Sequence, residues 1–279
     1  MHDTGLFISH LGLGDIILLL PAIANCASNC KLLYIFCKNI YTDTIIHFLS
    51  PYNNIKIIEF DTQLNELDVI NKNIQYLINK HNNIYIYSSG YYKKDCNPLT
   101  DFPNNFYKDL SLDFNYALNL YNIPITQNAI MLHTLLKDLN KPYIFLHTQA
   151  SNLNLNVDID TANTNVIIIN PETNMYTSEH VYYTTAQKFL RKENNYTLLD
   201  YKLVIENATA LYLIDSSYFC FAALCKPIIP IRKIVYSRYQ EPFKTLLNDT
   251  WTQNYCGTIP SSGRDTRAGI YTSGTDSIQ

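Results

Sequence analysis

The sequence lacks the features that mark several common classes of protein. Its 279 residues carry a formal net charge of −3, so it offers no basic surface for nucleic acid or for an anionic membrane. No apolar run reaches the roughly 20 residues that a membrane-spanning helix needs, and the N-terminus lacks the basic and small-residue pattern of a signal peptide. We therefore expect a cytoplasmic protein with no transmembrane segment and no nucleic-acid partner.

Signals for disulfides and for bound metal are also absent. The seven cysteines are an odd number, and they are scattered along the chain without a Cys-x-x-Cys pair, so we expect buried core thiols. The triplet DID at 158–160 has the Asp-x-Asp form found in many metal-dependent transferases, but it lies in a polar stretch that is predicted to be a loop. We interpret it as a coincidence and predict no metal site.

What the sequence does have is a regular alternation of apolar strands and helical patterns. Strands are predicted at GLFIS, KLLYIFC, IKIIEF and IYIYS, with helices near 15–28, 40–49 and 63–80 between them. This alternation is typical of βαβ crossovers and a parallel sheet. The runs that are apolar throughout fit a sheet that is covered on both faces. We expect residues 1–140 to form this first α/β unit.

A second α/β unit is predicted after Lys141-Pro142. The pattern loosens over 89–140, where we expect one helix near 104–120, and then alternation resumes. Strands are expected at 143–147, 166–170, 210–215 and 228–232, with helices near 179–190, 198–208 and 217–225. The second unit thus spans 141–255. Residues 256–279, rich in Gly, Ser, Thr and Arg, indicate a disordered tail.

The stretch HLGLGD, residues 10–15, lies where the first strand meets the first helix. A dinucleotide-binding turn would read G-x-G-x-x-G, but Ile17 replaces the third glycine, and no Gly-Lys-Ser/Thr follows for a Walker loop. What remains is a glycine turn at Gly12 and Gly14 whose N–H groups face the carboxyl edge of the sheet. Asp15 is then either a helix cap or a reactive carboxylate at the mouth of a cleft, beside His10.

A second constellation follows the strand ALYLI. Asp215, Ser216 and Ser217 come directly before a helix that is apolar nearly all round. Two hydroxyls beside the free N–H groups of a helix start can bind phosphate oxygens. Simple capping of the helix is the alternative.

Three further residues are candidates for ligand binding in the second unit. His147 ends the strand YIFLH and precedes a polar loop at the same sheet edge. Glu206 is placed to accept hydrogen bonds from ribose hydroxyls, and Arg232 follows the last predicted strand, where it would meet a diphosphate. Solvated surface positions are the alternative for Glu206 and Arg232.

Together these two stretches resemble a known family. HLGLGDIILLLPAI is similar to the N-terminal motif of the ADP-heptose:lipopolysaccharide heptosyltransferases, and LLDYKLVIENATALYLIDSSYFCFAALCKPIIPI is similar to that family's nucleotide-sugar segment. Related viral and bacterial glycosyltransferase-like proteins share the HLGLGD start. The resemblance implies a GT-B fold, in which two Rossmann-like domains face a cleft. It also implies that Asp15 is the catalytic base and that Asp215, Ser216 and Ser217 lie at the donor diphosphate.

The resemblance implies a glycosyltransferase that moves a sugar from a nucleotide-diphosphate sugar to the hydroxyl of a glycan or other acceptor. The reaction would be inverting, with no metal and no cofactor besides the nucleotide sugar as co-substrate. The segment FLHTQASNLN departs from the family, because it has neither the Pro-Gly loop nor the lysine that meets phosphate. The alternative function is a non-catalytic α/β protein that binds nucleotides or glycans or serves in assembly. An oxidoreductase is a second alternative. It would need an acidic residue after the second strand, but the sequence has Cys37-Lys38-Asn39 there, which disfavours this function.

Overall fold

The computed structural model describes residues 1–9, 12–81, 83–89, 103–150, 153–154, 157, 159–225, 232–237 and 251–255. These residues divide into two compact units, the first ending at Pro124 and the second beginning at Ile125. His10 and the tail 256–279, both singled out in the sequence, lie outside the described residues. In the part of the chain that is described, no helix is both long and apolar enough to cross a membrane.

The first unit is built on a parallel sheet of four strands in the order β3-β2-β1-β4. Its elements are β1 (His2–Ile8), α1 (Leu13–Ser28), β2 (Cys30–Lys38), α2 (Thr42–Leu49), β3 (Ile55–Phe60), α3 (Glu66–Lys80), β4 (Ile84–Ser88), α4 (Asn104–Asp109) and α5 (Phe114–Leu120). The predicted strands and helices up to Ser88 are all present. The helix expected over 104–120 is interrupted at Ser111, whose φ of 56° is left-handed and cannot continue a right-handed helix.

Helix α1 is the central helix of the first unit. Every residue from Ile16 to Ala24 is buried, which matches the apolar run in the sequence and fixes the helix between β1, β2 and the short helices α4 and α5. The buried Tyr107 hydroxyl of α4 donates a hydrogen bond of 2.8 Å to the Leu18 carbonyl. This packing anchors the first turn of α1 at the carboxyl edge of the sheet.

The second unit contains a parallel sheet of five strands in the order β11-β10-β9-β5-β8. Its elements are α6 (Gln127–Leu139), β5 (Tyr143–His147), β6 (Gln149–Ala150), β7 (Leu153–Asn154), β8 (Ile167–Ile169), α7 (Tyr183–Gln187), α8 (Arg191–Asn194), α9 (Lys202–Asn207), β9 (Ala210–Ile214), α10 (Ser217–Leu224), β10 (Arg232–Ser237) and β11 (Trp251–Tyr255). Strands β6 and β7 form a separate antiparallel pair. Two parallel α/β units confirm the predicted fold class.

Helix α6 places the division between the units earlier than Lys141-Pro142. This helix was not predicted, and it packs against α9 and the 3₁₀ turn before it. Thr126 caps it by accepting a 3.0 Å hydrogen bond from the N–H of Ala129, and the Thr126 hydroxyl also donates to Asp200. The second unit therefore begins with α6.

The last predicted strand covered 228–232, of which only Arg232 belongs to the described residues, and it is the first residue of β10. The five described cysteines are free and buried, as expected of core thiols: Cys26, Cys30, Cys37, Cys220 and Cys225.

Candidate active site

Asp15 lies at the carboxyl edge of the first sheet. It is in the first turn of α1, just after the end of β1. Two further charged residues share this edge, because Lys38 ends β2 and Glu66 begins α3, and they form an ion pair with each other. Polar side chains from three successive strand–helix connections thus meet where ligands bind in open parallel sheets.

The carboxyl group of Asp15 is held in an environment that opposes its charge. Its pKa is raised from an ordinary 3.8 to about 6, chiefly by burial and then by the negative charge of Glu66, although the Gly12 N–H and the charge of Lys38 act in the opposite direction. Such a carboxylate is a stronger base than an exposed aspartate and is still mostly ionised at neutral pH. The hydrogen bond from the N–H of the N-cap residue Gly12 to the Asp15 carboxylate is a capping contact, and the role of a reactive carboxylate stays a prediction.

Gly12 is required by the position of that carboxylate. It is the N-cap residue of α1, and a Cβ added there would lie 2.5 Å from the Oδ2 atom of Asp15. Any larger residue must therefore displace the carboxylate. Gly14 does not form a turn, as the sequence suggested, but lies within the first turn of α1, which begins two residues earlier than predicted.

His147 and Ser216 meet at the carboxyl edge of the second sheet. His147 ends β5 and is only 4 % exposed, and its Nδ1 atom lies 3.1 Å from the Ser216 hydroxyl, with which it shares a hydrogen bond. Burial and the nearby charge of Arg191 lower the pKa of His147 from 6.5 to about 3. The imidazole is therefore neutral at physiological pH and offers one donor and one acceptor.

The start of α10 is not capped in the predicted way. Ser216 is the N-cap residue, but its side chain makes no capping hydrogen bond, because the hydroxyl is engaged by His147 instead. Asp215 is buried, and its N–H donates to the carbonyl of Tyr236 at 3.1 Å. Ser217 is the first residue of the helix. The Ser216 side chain therefore does not cap this helix.

An ion pair that the sequence analysis missed lies beside this group. The Arg191 Nε and Nη2 atoms donate to the two carboxylate oxygens of Glu172 at 2.8 and 3.4 Å. Glu172 lies three residues after the end of β8. A polar residue just after a predicted strand is a feature from which sequence analysis could have named it as a site candidate. Arg191 comes after the predicted helix near 179–190 and carried no such signal.

The structure does not bring Arg232 and Glu206 to this edge. Arg232 is the first residue of β10 and pairs with Ala210, the first residue of β9, so it lies at the amino edge of the sheet. Glu206 precedes β9 in the chain, and its carboxylate is paired with Lys202 at 2.7 Å. The predicted diphosphate and ribose contacts of these two residues are therefore not supported by their positions.

Comparisons with known proteins agree with this architecture. No family model matches the chain, and no curated protein matches it by sequence. Among solved structures, a family 9 glycosyl transferase from Veillonella parvula matches with a TM-score of 0.50 and 7 % identity over 91 % of this chain and 86 % of that chain. The fold is GT-B-like. This finding confirms the predicted resemblance at the level of the fold.

Two further matches from E. coli have lower scores. The ADP-heptose lps heptosyltransferase II matches with a TM-score of 0.47 and 9 % identity over 90 % of both chains. The heptosyltransferase WaaC with ADP matches with a TM-score of 0.43 and 12 % identity, over 91 % of this chain and 90 % of that chain.

In the described residues, no group of three or more His, Cys, Asp or Glu side chains is arranged to hold a metal ion.

Proposed function

We propose that this chain is a glycosyltransferase that moves a sugar from a nucleotide-diphosphate sugar to an acceptor hydroxyl, with Asp15 as the general base. The observation that carries the proposal is the partly buried Asp15 carboxylate, which lies at the carboxyl edge of a parallel sheet with its pKa raised to about 6. The GT-B-like fold, shared with a family 9 glycosyl transferase, supports the same function.

In the proposed reaction, Asp15 takes the proton from the acceptor hydroxyl as its oxygen attacks the anomeric carbon. The bond between that carbon and the diphosphate oxygen breaks, and its electron pair leaves with the nucleoside diphosphate. Attack from the face opposite the leaving group inverts the configuration at the anomeric carbon. A base whose pKa lies near the working pH suits this step, because it is ionised and still accepts a proton readily.

We assign donor binding to the second unit. The Ser216 and Ser217 residues and the first N–H groups of α10 face the carboxyl edge of the sheet, where they can donate to phosphate oxygens. The neutral imidazole of His147 fixes the Ser216 hydroxyl, and the buried Asp215 supports the turn into the helix. Because hydrogen-bond donors and cations of the chain can stabilise the leaving diphosphate, we propose a reaction without a metal ion.

The direct test is release of a nucleoside diphosphate from a panel of nucleotide sugars, with and without simple glycoside acceptors. We expect the wild-type chain to release the nucleotide of one donor class. The Asp15→Asn variant should lose at least about 100-fold of that rate, because a positioned general base contributes about that much, and it should still bind the product nucleotide. Asp43→Asn is the matched control, since Asp43 lies in the first turn of another helix, α2.

Two results would contradict the proposal. Equal release by the wild type and the Asp15→Asn variant would remove Asp15 from the chemistry. Nucleotide binding without release from any sugar of the panel would favour the non-catalytic binding protein instead.

A further inference from the structure

The two side chains of the Arg191–Glu172 ion pair differ in their exposure to solvent. The Glu172 side chain is 8 % exposed, whereas the Arg191 side chain is 38 % exposed. Glu172 engages only the Nε and Nη2 atoms of the guanidinium. The hydrogens on Nη1 therefore have no partner among the described residues, although an arginine carries five N–H donors in a fixed plane.

This geometry fixes the arginine more firmly than a surface arginine is fixed. The two-point contact with a buried carboxylate sets the plane of the guanidinium, and the backbone N–H of Arg191 donates to the Pro171 carbonyl at 2.7 Å. The entropy of ordering the side chain is thus already lost before any ligand binds. The unpaired N–H edge is available to a second anion.

The surroundings of Arg191 match the donor site proposed above. Its partner Glu172 follows β8, whose last residue, Ile169, pairs with Phe145, two residues before His147. The ion pair therefore lies at the same carboxyl edge of the sheet as His147, and the charge of Arg191 contributes to lowering the pKa of that imidazole. The hydroxyl of Tyr218, in the first turn of α10, is buried without a hydrogen-bond partner in this region. The Tyr218 ring packs against His147 at a tilt, with ring centroids 4.2 Å apart. His147, Ser216 and Tyr218 thus form one polar group at this end of the sheet.

We propose that Arg191 binds the diphosphate group of the donor, with Glu172 as the residue that positions it. The inference rests on the proposed function for the identity of the ligand, and it replaces the role that the sequence suggested for Arg232. Arginine suits this role because its planar N–H groups pair with phosphate oxygens on one edge while the other edge holds the carboxylate.

The test compares two variants that differ only at position 191. Removing Arg191 alone would leave Glu172 buried without its partner, which destabilises a fold strongly, so both variants carry Glu172→Gln. One is Glu172→Gln, and the other is Glu172→Gln with Arg191→Gln. Binding of inorganic pyrophosphate and of ADP, GDP and UDP is measured by calorimetry at constant ionic strength. Arg232→Gln serves as a matched control for the loss of one positive charge from the same unit.

We expect Glu172→Gln to bind pyrophosphate and one nucleoside diphosphate more weakly than the wild type but still measurably, because the glutamine has one acceptor oxygen and no charge with which to hold the Arg191 guanidinium. The double variant should bind pyrophosphate and the nucleoside diphosphate at least about tenfold more weakly than Glu172→Gln does, since a hydrogen bond to a charged group contributes that much. Arg232→Gln should bind like the wild type.

The contrary outcomes are distinct. Equal affinity of the two Glu172 variants, or an equal loss in Arg232→Gln, would overturn the role of Arg191. Pyrophosphate binding that depends on Arg191, without binding of any nucleoside diphosphate, would support the diphosphate site and contradict the proposed function. Absence of all binding in the wild type would overturn both.

Discussion

Replacing Asp15 by asparagine should stabilise the protein at neutral pH. The pKa of the Asp15 carboxyl is raised to about 6 in the folded chain, against an ordinary 3.8, with burial as the main cause. Below about pH 4 the folded and unfolded chains both hold the proton. As the pH rises from about 4 to 6, the unfolded chain releases the proton first, so ionisation lowers the free energy of unfolding. Asparagine keeps the shape of the side chain and carries no charge.

The size of the effect follows from the pKa. A rise of about two units corresponds to about 3 kcal/mol at pH values above 6. The Asp15 side chain keeps some access to water, which weakens the penalty, so we expect the Asp15→Asn variant to be about 2 kcal/mol more stable than the wild type. Near pH 4 the two proteins should be equally stable.

The assay is urea denaturation of both proteins at about pH 4 and about pH 7.5, with Asp43→Asn as the control. Asp43 is exposed in the first turn of α2, where an acidic residue stabilises the helix by up to about 1 kcal/mol, so its loss should slightly destabilise the protein. The two substitutions should thus have opposite signs at neutral pH. An Asp15→Asn variant that is destabilised at neutral pH, as Asp43→Asn is expected to be, would refute the reasoning about the buried carboxylate.

Three further predictions concern the same sites. Gly12→Ala should reduce transfer at least about tenfold with little change in donor affinity, because its Cβ displaces the Asp15 carboxylate; equal losses of rate and affinity would contradict this. Ser216→Ala combined with Ser217→Ala should weaken nucleotide binding about tenfold in a calorimetric titration, and unchanged affinity would remove both serines from the donor site. The pKa of His147 is lowered to about 3, so this residue should lower the free energy of unfolding as the pH drops below about 6.5, opposite in sign to Asp15. The stability of His147→Gln relative to the wild type should therefore rise as the pH drops from about 6.5 to 4 in denaturation experiments.

Much of the fold could be predicted because its signals are local. The strands of the first unit are short apolar runs with helical periods between them, and β3 was predicted with its observed bounds. Helix α6 was missed although its signal was present. Ala129, Leu132 and Leu136 form a buried stripe at helical spacing, and Thr126 is a favourable N-cap residue.

The candidate site could be predicted only where a residue ends a strand or begins a helix. Asp15, His147 and Ser216 satisfy that rule, and the structure places each of them at the carboxyl edge of its sheet. Arg191 begins α8, but this four-residue helix was not predicted, and its partner Glu172 is 19 residues away in the chain, so no local pattern links the two. Arg232 was predicted at the end of a strand, whereas it is the first described residue of β10.

The measurement that tests the central claim most directly is a thermal-shift screen of the wild-type chain and the Asp15→Asn variant. The probes are ADP, GDP, UDP, CMP, dTDP and NAD, since a ligand that binds only the folded state raises its melting temperature. The account predicts a saturable rise with one nucleoside diphosphate, equal in both proteins, and none with NAD. No rise with any of these nucleotides would contradict a donor site on the second unit and with it the proposed transfer.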